Sequence, residues 1–421
     1  MTMQPTSRRN FLRTSAQAGV LTAVSASSYR KIYGANERIR VGMIGSGWRS
    51  VWHIGWIYRC QETVPAEVVA VCDIWTMRLE QGVNEVKKRF DRDPVTERDY
   101  QQLLARADID AVVIATPDHQ HATMLKHAVE AGKDVYVEKP IAMEIEELHA
   151  AREAVLASDC VVQVGTQGRS SAGAAAARAF VQSGQLGQVI RVEECRSHYI
   201  PYWNHYPKPE SPEETDWQAF LFNRPDRPFD PDQHGCWMGY RDFSSGTIGG
   251  WMSHFSDFTH FVTGASLPTL ATAQGGIYSP TSEPQRTCPD TVSAILHYEE
   301  GFSTLYTTHF GNAANDYTLF FGTKGTMRIN APDGNADGIG PVVSGEGSEH
   351  PEKVQETIEL ENTTEEDHMT NWLRCITTRE TPNADIEAGY AHGVACILAD
   401  RAYAEGRQMR YEASQGTIAS A

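Results

Sequence analysis

A chain of 421 residues, 41% hydrophobic and 22% charged, is long enough to bury two cores. Its formal charge of −17 repels a phosphate backbone, and with no basic stripe to offset that charge, nucleic acid is not an expected partner. No apolar run approaches the roughly eighteen residues that a membrane span requires, and the eight cysteines are scattered without a Cys-x-x-Cys pair, so neither a span nor a structural zinc site is expected.

The N-terminal stretch sets Arg8-Arg9 in the frame Ser-Arg-Arg-x-Phe-Leu-Arg, ahead of a mildly apolar segment from Ala16 to Ala26. This resembles a twin-arginine export signal. Residues 1–36 are therefore expected to be signal and linker, and the protein to be periplasmic or otherwise extracytoplasmic. That route carries folded proteins, so a soluble cofactor would have to be held tightly enough to survive export.

From Arg38 onward, strand-like and helix-like patterns alternate. Ile39, Val41, Met43 and Ile44 make a short apolar strand, and Gly45-Ser46-Gly47-Trp48-Arg49-Ser50 turns into a helix. Gly45 permits the tight turn, and Gly47 lets the backbone approach a pyrophosphate. The free N–H groups and dipole of a helix N-terminus favour that anion. A second apolar strand, Ala66 to Trp75, ends near Asp73, an acid suited to accept from an adenosine ribose diol and so to prefer NAD over NADP, with Arg78 close enough to temper the preference. Ile109 to Pro117 is apolar throughout, as in a parallel strand buried on both faces, and runs into Thr116-Pro117-Asp118-His119, where backbone can meet cofactor. His121 begins a helix that stops at Gly132. The next strand, Asp134 to Val137, ends in Glu138-Lys139-Pro140. Proline has no N–H to donate and stops the strand. Lys139 is thus left at a carboxyl end, where doubly wound parallel sheets bind their ligands. Residues 37–160 read as an α/β Rossmann domain with cofactor contacts from Gly45, Ser46, Gly47, Trp48, Arg49, Asp73, Thr116, Pro117, His121, Glu138 and Lys139.

In the second half, Val161 to Ser171 is read as the strand and loop that open a second domain, and Gln188 to Tyr199 as a long strand. The end of that strand is dense in His198, Tyr199, Tyr202, Trp203, Asn204, His205 and Tyr206. Such a mix suits carbohydrate, whose C–H faces pack on aromatic rings while amides and imidazoles bind hydroxyls; it also suits a loop packed on its own aromatics. Arg241 to Phe261 is Gly-rich and then helical from Met252, which sets His254, Asp257 and Phe258 on one face. His198, His254 and Asp257 are a set that zinc or manganese accepts, but nothing in the spacing demands it, and no metal is expected. Leu319 to Ile329 reads as a hairpin, and the segments from His368 and from Asp385 as helices.

Gly45-x-Gly47, Asp73, Ala115-Thr116-Pro117-Asp118-His119-Gln120-His121 and Glu138-Lys139-Pro140 together resemble the Gfo/Idh/MocA family of NAD(P)-dependent oxidoreductases. The resemblance implies that residues 161–421 form an α+β domain with an open, largely antiparallel sheet that covers the nicotinamide and mediates homo-oligomers, its last helices packing back on the Rossmann domain. It also implies that Lys139 lies beside the nicotinamide and the reacting carbinol. The family's Gly-rich turn leads into a helix bearing an acid, then a histidine, then a second acid; His254 and Asp257 match the last two, but Gly250 stands in place of the first. The expected function is that of an exported NAD-dependent oxidoreductase acting on a secondary hydroxyl of a sugar or glycoside, with Lys139 as base, His254 assisting, and Tyr199, Trp203, His198 and Asp257 at the substrate. One alternative is cleavage of a glycoside with recycled, tightly bound NAD. Oxidation of a ring hydroxyl acidifies the neighbouring C–H and allows the aglycone to be eliminated, as in the family's exo-acting N-acetylgalactosaminidases, which carry similar export signals. A non-catalytic sugar sensor is a third reading, against which Lys139 and His254 both count.

Overall fold

The computed structural model describes residues 38–421 apart from 281, 284, 315, 330–339, 348–349 and 364–365. The Arg8-Arg9 motif lies outside the described residues.

Six strands, β1 (Ile39–Ile44), β2 (Ala66–Cys72), β3 (Val95–Glu97), β4 (Ala111–Ile114), β5 (Asp134–Val137) and β6 (Val162–Val164), form a parallel sheet in the order β3-β2-β1-β4-β5-β6. The helices α1 (Trp48–Cys60), α2 (Thr76–Phe90), α3 (His121–Glu130) and α4 (Ile145–Leu156) supply four of the five connections, and the short helix Tyr100–Leu104 lies in the one between β3 and β4. Val112, Val113, Val135 and Val137 are fully buried, which is why the central strands read as continuous apolar runs rather than alternating ones. The chain direction through the sheet reverses between β1 and β4, so a crevice opens above their carboxyl ends.

The boundary expected at 161 moves. Val162, Gln163 and Val164 pair with Val135, Tyr136 and Val137 as the sixth strand of the first sheet, because that edge of β5 would otherwise lack a partner. The second domain begins beyond it.

Its sheet comprises β7 (Val189–His198), β8 (Pro268–Gly276), β9 (Thr291–Tyr298), β10 (Ser303–Phe310), β11 (Tyr317–Gly322), β12 (Thr326–Ile329), β13 (Val342–Ser344), β14 (Ile358–Glu359), β15 (Met409–Glu412) and β16 (Thr417–Ser420), in the order β14-β13-β12-β11-β7-β10-β9-β8-β15-β16. All neighbours run antiparallel except β7 and β10. The strands alternate cleanly: Val292, Ala294 and Leu296 are buried, while Ser293, Ile295 and His297 face outward. The buried face is covered by α5 (Ala172–Gln182), α6 (Ser253–Thr263) and, near the end of the chain, α8 (Ile386–Glu405).

The helix α7 (His368–Thr378) returns to the first domain. Its Met369, Trp372, Leu373 and Ile376 share one core with Val41 and Met43 of β1 and Ile54 and Ile57 of α1. α8 is buried on nearly all sides because it lies between the second sheet and the first domain, with Gly389 against Val164 and Gly393 against Leu148.

Candidate active site

The carboxyl ends of the first sheet face the segment between β7 and α6, and together they enclose a cavity of about 1030 Å³. The glycine loop forms its floor. Gly45 has φ +82°, and a Cβ there would lie 2.6 Å from the Ala115 carbonyl oxygen, so only glycine fits the turn. Gly47 caps α1 with extended backbone and no side-chain cap, and a Cβ built on it would meet nothing within 4 Å. Gly47, Trp48 and Arg49 line the cavity, so the first turn of α1, whose N–H groups have no intrahelical partners, borders it as a cradle that fits the pyrophosphate of a dinucleotide.

Asp73 ties this loop to the end of β2. Its Oδ2 accepts from the Ser46 N–H at 2.7 Å and its Oδ1 from the Trp75 N–H at 2.8 Å. Burial raises its pKa, and these two backbone bonds oppose the rise. Asp73 lines the cavity beside Arg78 and Arg98. Ser46 does not line it: its side chain is fully buried, packed where a Cβ on Gly82 would come within 2.8 Å of its Oγ. Its expected cofactor contact is thus corrected to a role inside the loop. Trp48, Arg49, Thr116 and Pro117 do line the cavity.

His121 also reaches the cavity wall, but its two ring nitrogens lie 2.8 Å from the carbonyl oxygens of Pro140 and Thr116. Its ring N–H donates to one of these carbonyls while the ring packs between both, which braces the end of β4 against the Lys139-Pro140 turn. Glu138 is buried, with Oε1 2.9 Å from His53 Nε2 and 3.5 Å from Arg49 Nε, and its Oε2 accepts from the Lys139 N–H at 3.3 Å. Burial alone would raise this carboxyl; the Arg49 charge and the His53 hydrogen bond hold it well below the usual carboxylate range. Glu138 is therefore an anion that fixes both α1 and the backbone of Lys139.

Lys139 Nζ donates to the Gly250 carbonyl at 2.9 Å. Gly250 lies in a π-helical turn, Ile248–Met252, that leads into α6; such turns recur at functional sites. Burial lowers the Lys139 pKa, with Glu138 opposing, so its neutral form is more accessible than that of a surface lysine. His254, one helical turn further on, lines the same cavity and is held well below its ordinary pKa by burial and by the charges of Lys139 and Arg49. It is a neutral imidazole beside a lysine of depressed basicity.

The expected substrate side chains are placed differently. Trp203 is fully buried in an aromatic cluster with Met238 and Phe310. His198 Nδ1 is turned to the Ile200 carbonyl at 2.6 Å, and Tyr199, 61% exposed, lies against the His198 ring at 4.6 Å. Asp257 is buried, accepts from Arg169 at 2.8 Å and 3.0 Å, and lies 3.8 Å from His392. None of these four lines the cavity. The rings that do are Tyr202, Tyr206, Trp237 and Trp251, and Asp118, whose Oδ2 accepts from Ser244 Oγ at 2.6 Å, joins them. The aromatic density of the sequence marks the right segment, but which ring faces inward depends on a tight turn over Tyr202–His205. Among the described residues, no group of three or more His, Cys, Asp or Glu side chains is arranged to hold a metal ion.

A pyrophosphate cradle, an acid at the end of β2, and a buried lysine and neutral histidine in one cavity define a nicotinamide-dinucleotide oxidoreductase site. Residues 39–166 match the oxidoreductase family with an NAD-binding Rossmann fold, and residues 224–410 match that family's C-terminal alpha/beta domain. The chain belongs to the Gfo/Idh/MocA oxidoreductase family, and NAD is the cofactor of its first domain. It is 36% identical over 166 residues to Glycosyl hydrolase family 109 protein 2 of Shewanella sp. (strain ANA-3), covering 34% of this chain and 35% of that one. It is 32% identical over 156 residues to the scyllo-inositol 2-dehydrogenase (NAD(+)) of Bacillus subtilis, covering 37% of this chain and 43% of that one. The match thus spans only 35% to 43% of the length of these curated relatives. Among solved structures, a levoglucosan dehydrogenase in complex with NADH shares the fold at a TM-score of 0.66 and 19% identity, over 88% of this chain and 98% of that one. An aldose-aldose oxidoreductase from Caulobacter crescentus complexed with glycerol does so at 0.66 and 18%, over 89% and 100%.

Proposed function

We propose that this protein oxidises a secondary hydroxyl of a sugar or glycoside. The observation that carries the reading is Lys139 Nζ, held by one carbonyl in the cavity that also contains the dinucleotide cradle. NAD, when bound, supplies the hydride acceptor. The chain's own residues do the rest. Neutral Lys139 takes the hydroxyl proton, neutral His254 accepts or donates a hydrogen bond at the substrate, and Glu138 keeps the lysine backbone in place. Tyr206, Trp237 and Trp251 give the cavity apolar faces that suit the C–H surface of a sugar. Relatives named as inositol and levoglucosan dehydrogenases support that substrate class.

The Arg8-Arg9 frame supports export by the twin-arginine route to the periplasm. Outside the cytoplasm, released NADH could not readily be replaced, so the cofactor stays bound and is regenerated within the site by a second half-reaction on the same sugar or on a second carbonyl substrate. The glycoside-cleaving version of that cycle, in which oxidation, elimination and re-reduction follow one another, draws support from the relatives named as glycosyl hydrolase family 109 proteins. Mass spectrometry of the denatured protein should find released NAD. Product should then exceed one equivalent per site with only that bound NAD present, across a panel of glycosides and sugar–ketosugar pairs. Arrest at one equivalent, with free NAD restoring turnover, would overturn recycling.

The second sheet leaves an outward face carrying Ile295, which is exposed, and Leu305, Leu319 and Phe321, only partly buried in the single chain. Homo-oligomers formed through this face would cover it. Sedimentation equilibrium should give a mass of at least a dimer, and a charged residue at Ile295 should lower it; a monomer at micromolar concentration would refute the pairing.

A further inference from the structure

Gly250 gives Lys139 a carbonyl but brings no side chain to the reaction end of the cavity. The space that a side chain there would enter is filled by Tyr202: a Cβ built on Gly250 would lie 2.9 Å from the Tyr202 hydroxyl oxygen. Lys139 Nζ and the Tyr202 hydroxyl therefore converge on one residue, and both line the cavity. The Tyr202 ring is fixed by Trp203, Trp251 and Phe310 at centroid separations of 5.2, 5.4 and 5.6 Å. No protein group is hydrogen-bonded to its hydroxyl among the described residues. The ring is held by aromatic neighbours while Tyr202, half-buried, lines the cavity, so its hydroxyl can donate to a group bound there.

We propose that the Tyr202 hydroxyl is a catalytic hydrogen-bond donor to the reacting oxygen of the sugar, acting in the space beside Gly250. The inference rests on the hydroxyl-oxidation reading above. In that reaction the substrate O–H proton passes to neutral Lys139, the C–H electron pair leaves as hydride to oxidised NAD, and the C–O bond becomes C=O. Negative charge builds on the oxygen as its proton departs, and a fixed phenol donor stabilises that charge while keeping its own proton. Burial raises the Tyr202 pKa well above its ordinary value, so the group remains a donor through the neutral and mildly alkaline range.

The test is Tyr202→Phe in the NAD-loaded full chain, with levoglucosan, scyllo-inositol and p-nitrophenyl glycosides as probes. Thermal midpoint and NAD content should not change, because the ring and its cage are kept. Single-turnover hydride transfer, read as nicotinamide absorbance, should fall about 10²–10³-fold, with the loss in kcat and less than about tenfold in the sugar's Kd. Gly250→Ala, whose Cβ would displace the hydroxyl, should slow the same step. In the Tyr202→Phe background that change should add little, since the displaced group is already gone. A wild-type rate in Tyr202→Phe, or fully additive losses in the double variant, would overturn the assignment while leaving the oxidation reading standing. If the unmodified protein transfers hydride from none of the probes, the oxidation reading fails and this assignment fails with it.

Discussion

Lys139→Met should abolish hydride transfer while leaving the fold and the bound NAD in place. Methionine preserves the unbranched stem that fills the space between the end of β5 and the turn at Gly250, and it removes only the group that donates to the Gly250 carbonyl. The loss should be at least about 10²–10⁴-fold, the scale of a general base. The sign of the pH dependence follows from the same burial. The active form is neutral lysine, whose pKa burial lowers, so the wild-type rate should rise with pH through that value, at a lower pH than for an exposed lysine. The methionine variant should lack that rising limb. Thermal stability should be unchanged or slightly higher, because a buried cation is replaced by an apolar chain. A pH–rate profile of both proteins decides the matter: near-normal turnover in the variant would reduce Lys139 to a structural strand end.

Gly45→Ala and Gly47→Ala should separate two roles within one loop. At Gly45 the added methyl meets the Ala115 carbonyl oxygen at 2.6 Å in backbone of positive φ, so the turn itself must shift. Stability should fall by about 1–3 kcal/mol, and NAD affinity by more than tenfold as the loop moves off the cofactor. At Gly47 the methyl enters open cavity, so the NAD-free protein should melt normally while NAD binding alone weakens. Calorimetric unfolding and NAD titration of the NAD-free proteins distinguish the two. Equal effects of both substitutions on the melting temperature would mean that the loop is not divided in this way.

The dinucleotide half was legible in the sequence because its signals are local. The glycines of the loop follow β1 directly, and the Glu138-Lys139-Pro140 stop follows β5 directly. β6 was harder: three residues are too few to show a period, and only pairing with β5 reveals which sheet they join. The substrate wall was legible as a region but not by residue. Adjacent positions in a tight turn face opposite ways, so Tyr202 enters the cavity while Trp203 enters the core. Asp257 reads locally as a helix-face neighbour of His254; the guanidinium that neutralises it, Arg169, comes from a distant segment. Nothing local announces Gly250 and Tyr202 as neighbours either, since that contact exists only once the second domain has folded.

The return of α7 to the first domain has a consequence for the birth of the molecule. Trp372 is fully buried against Tyr136 at 5.6 Å, in a core shared with the strand that leads into the glycine loop. A nascent chain that has emerged only as far as β6 has every nucleotide-binding motif but still presents that core face to water. The nucleotide domain is thus finished only after β7 to β14 of the substrate sheet have left the ribosome, with α8, β15 and β16 still to follow α7. A cofactor that needs a rigid cradle is captured by a chain that has grown past α7, not by one that stops at β6. Truncation just before α7 would remove no residue of the glycine loop, yet it would strip the support from behind it.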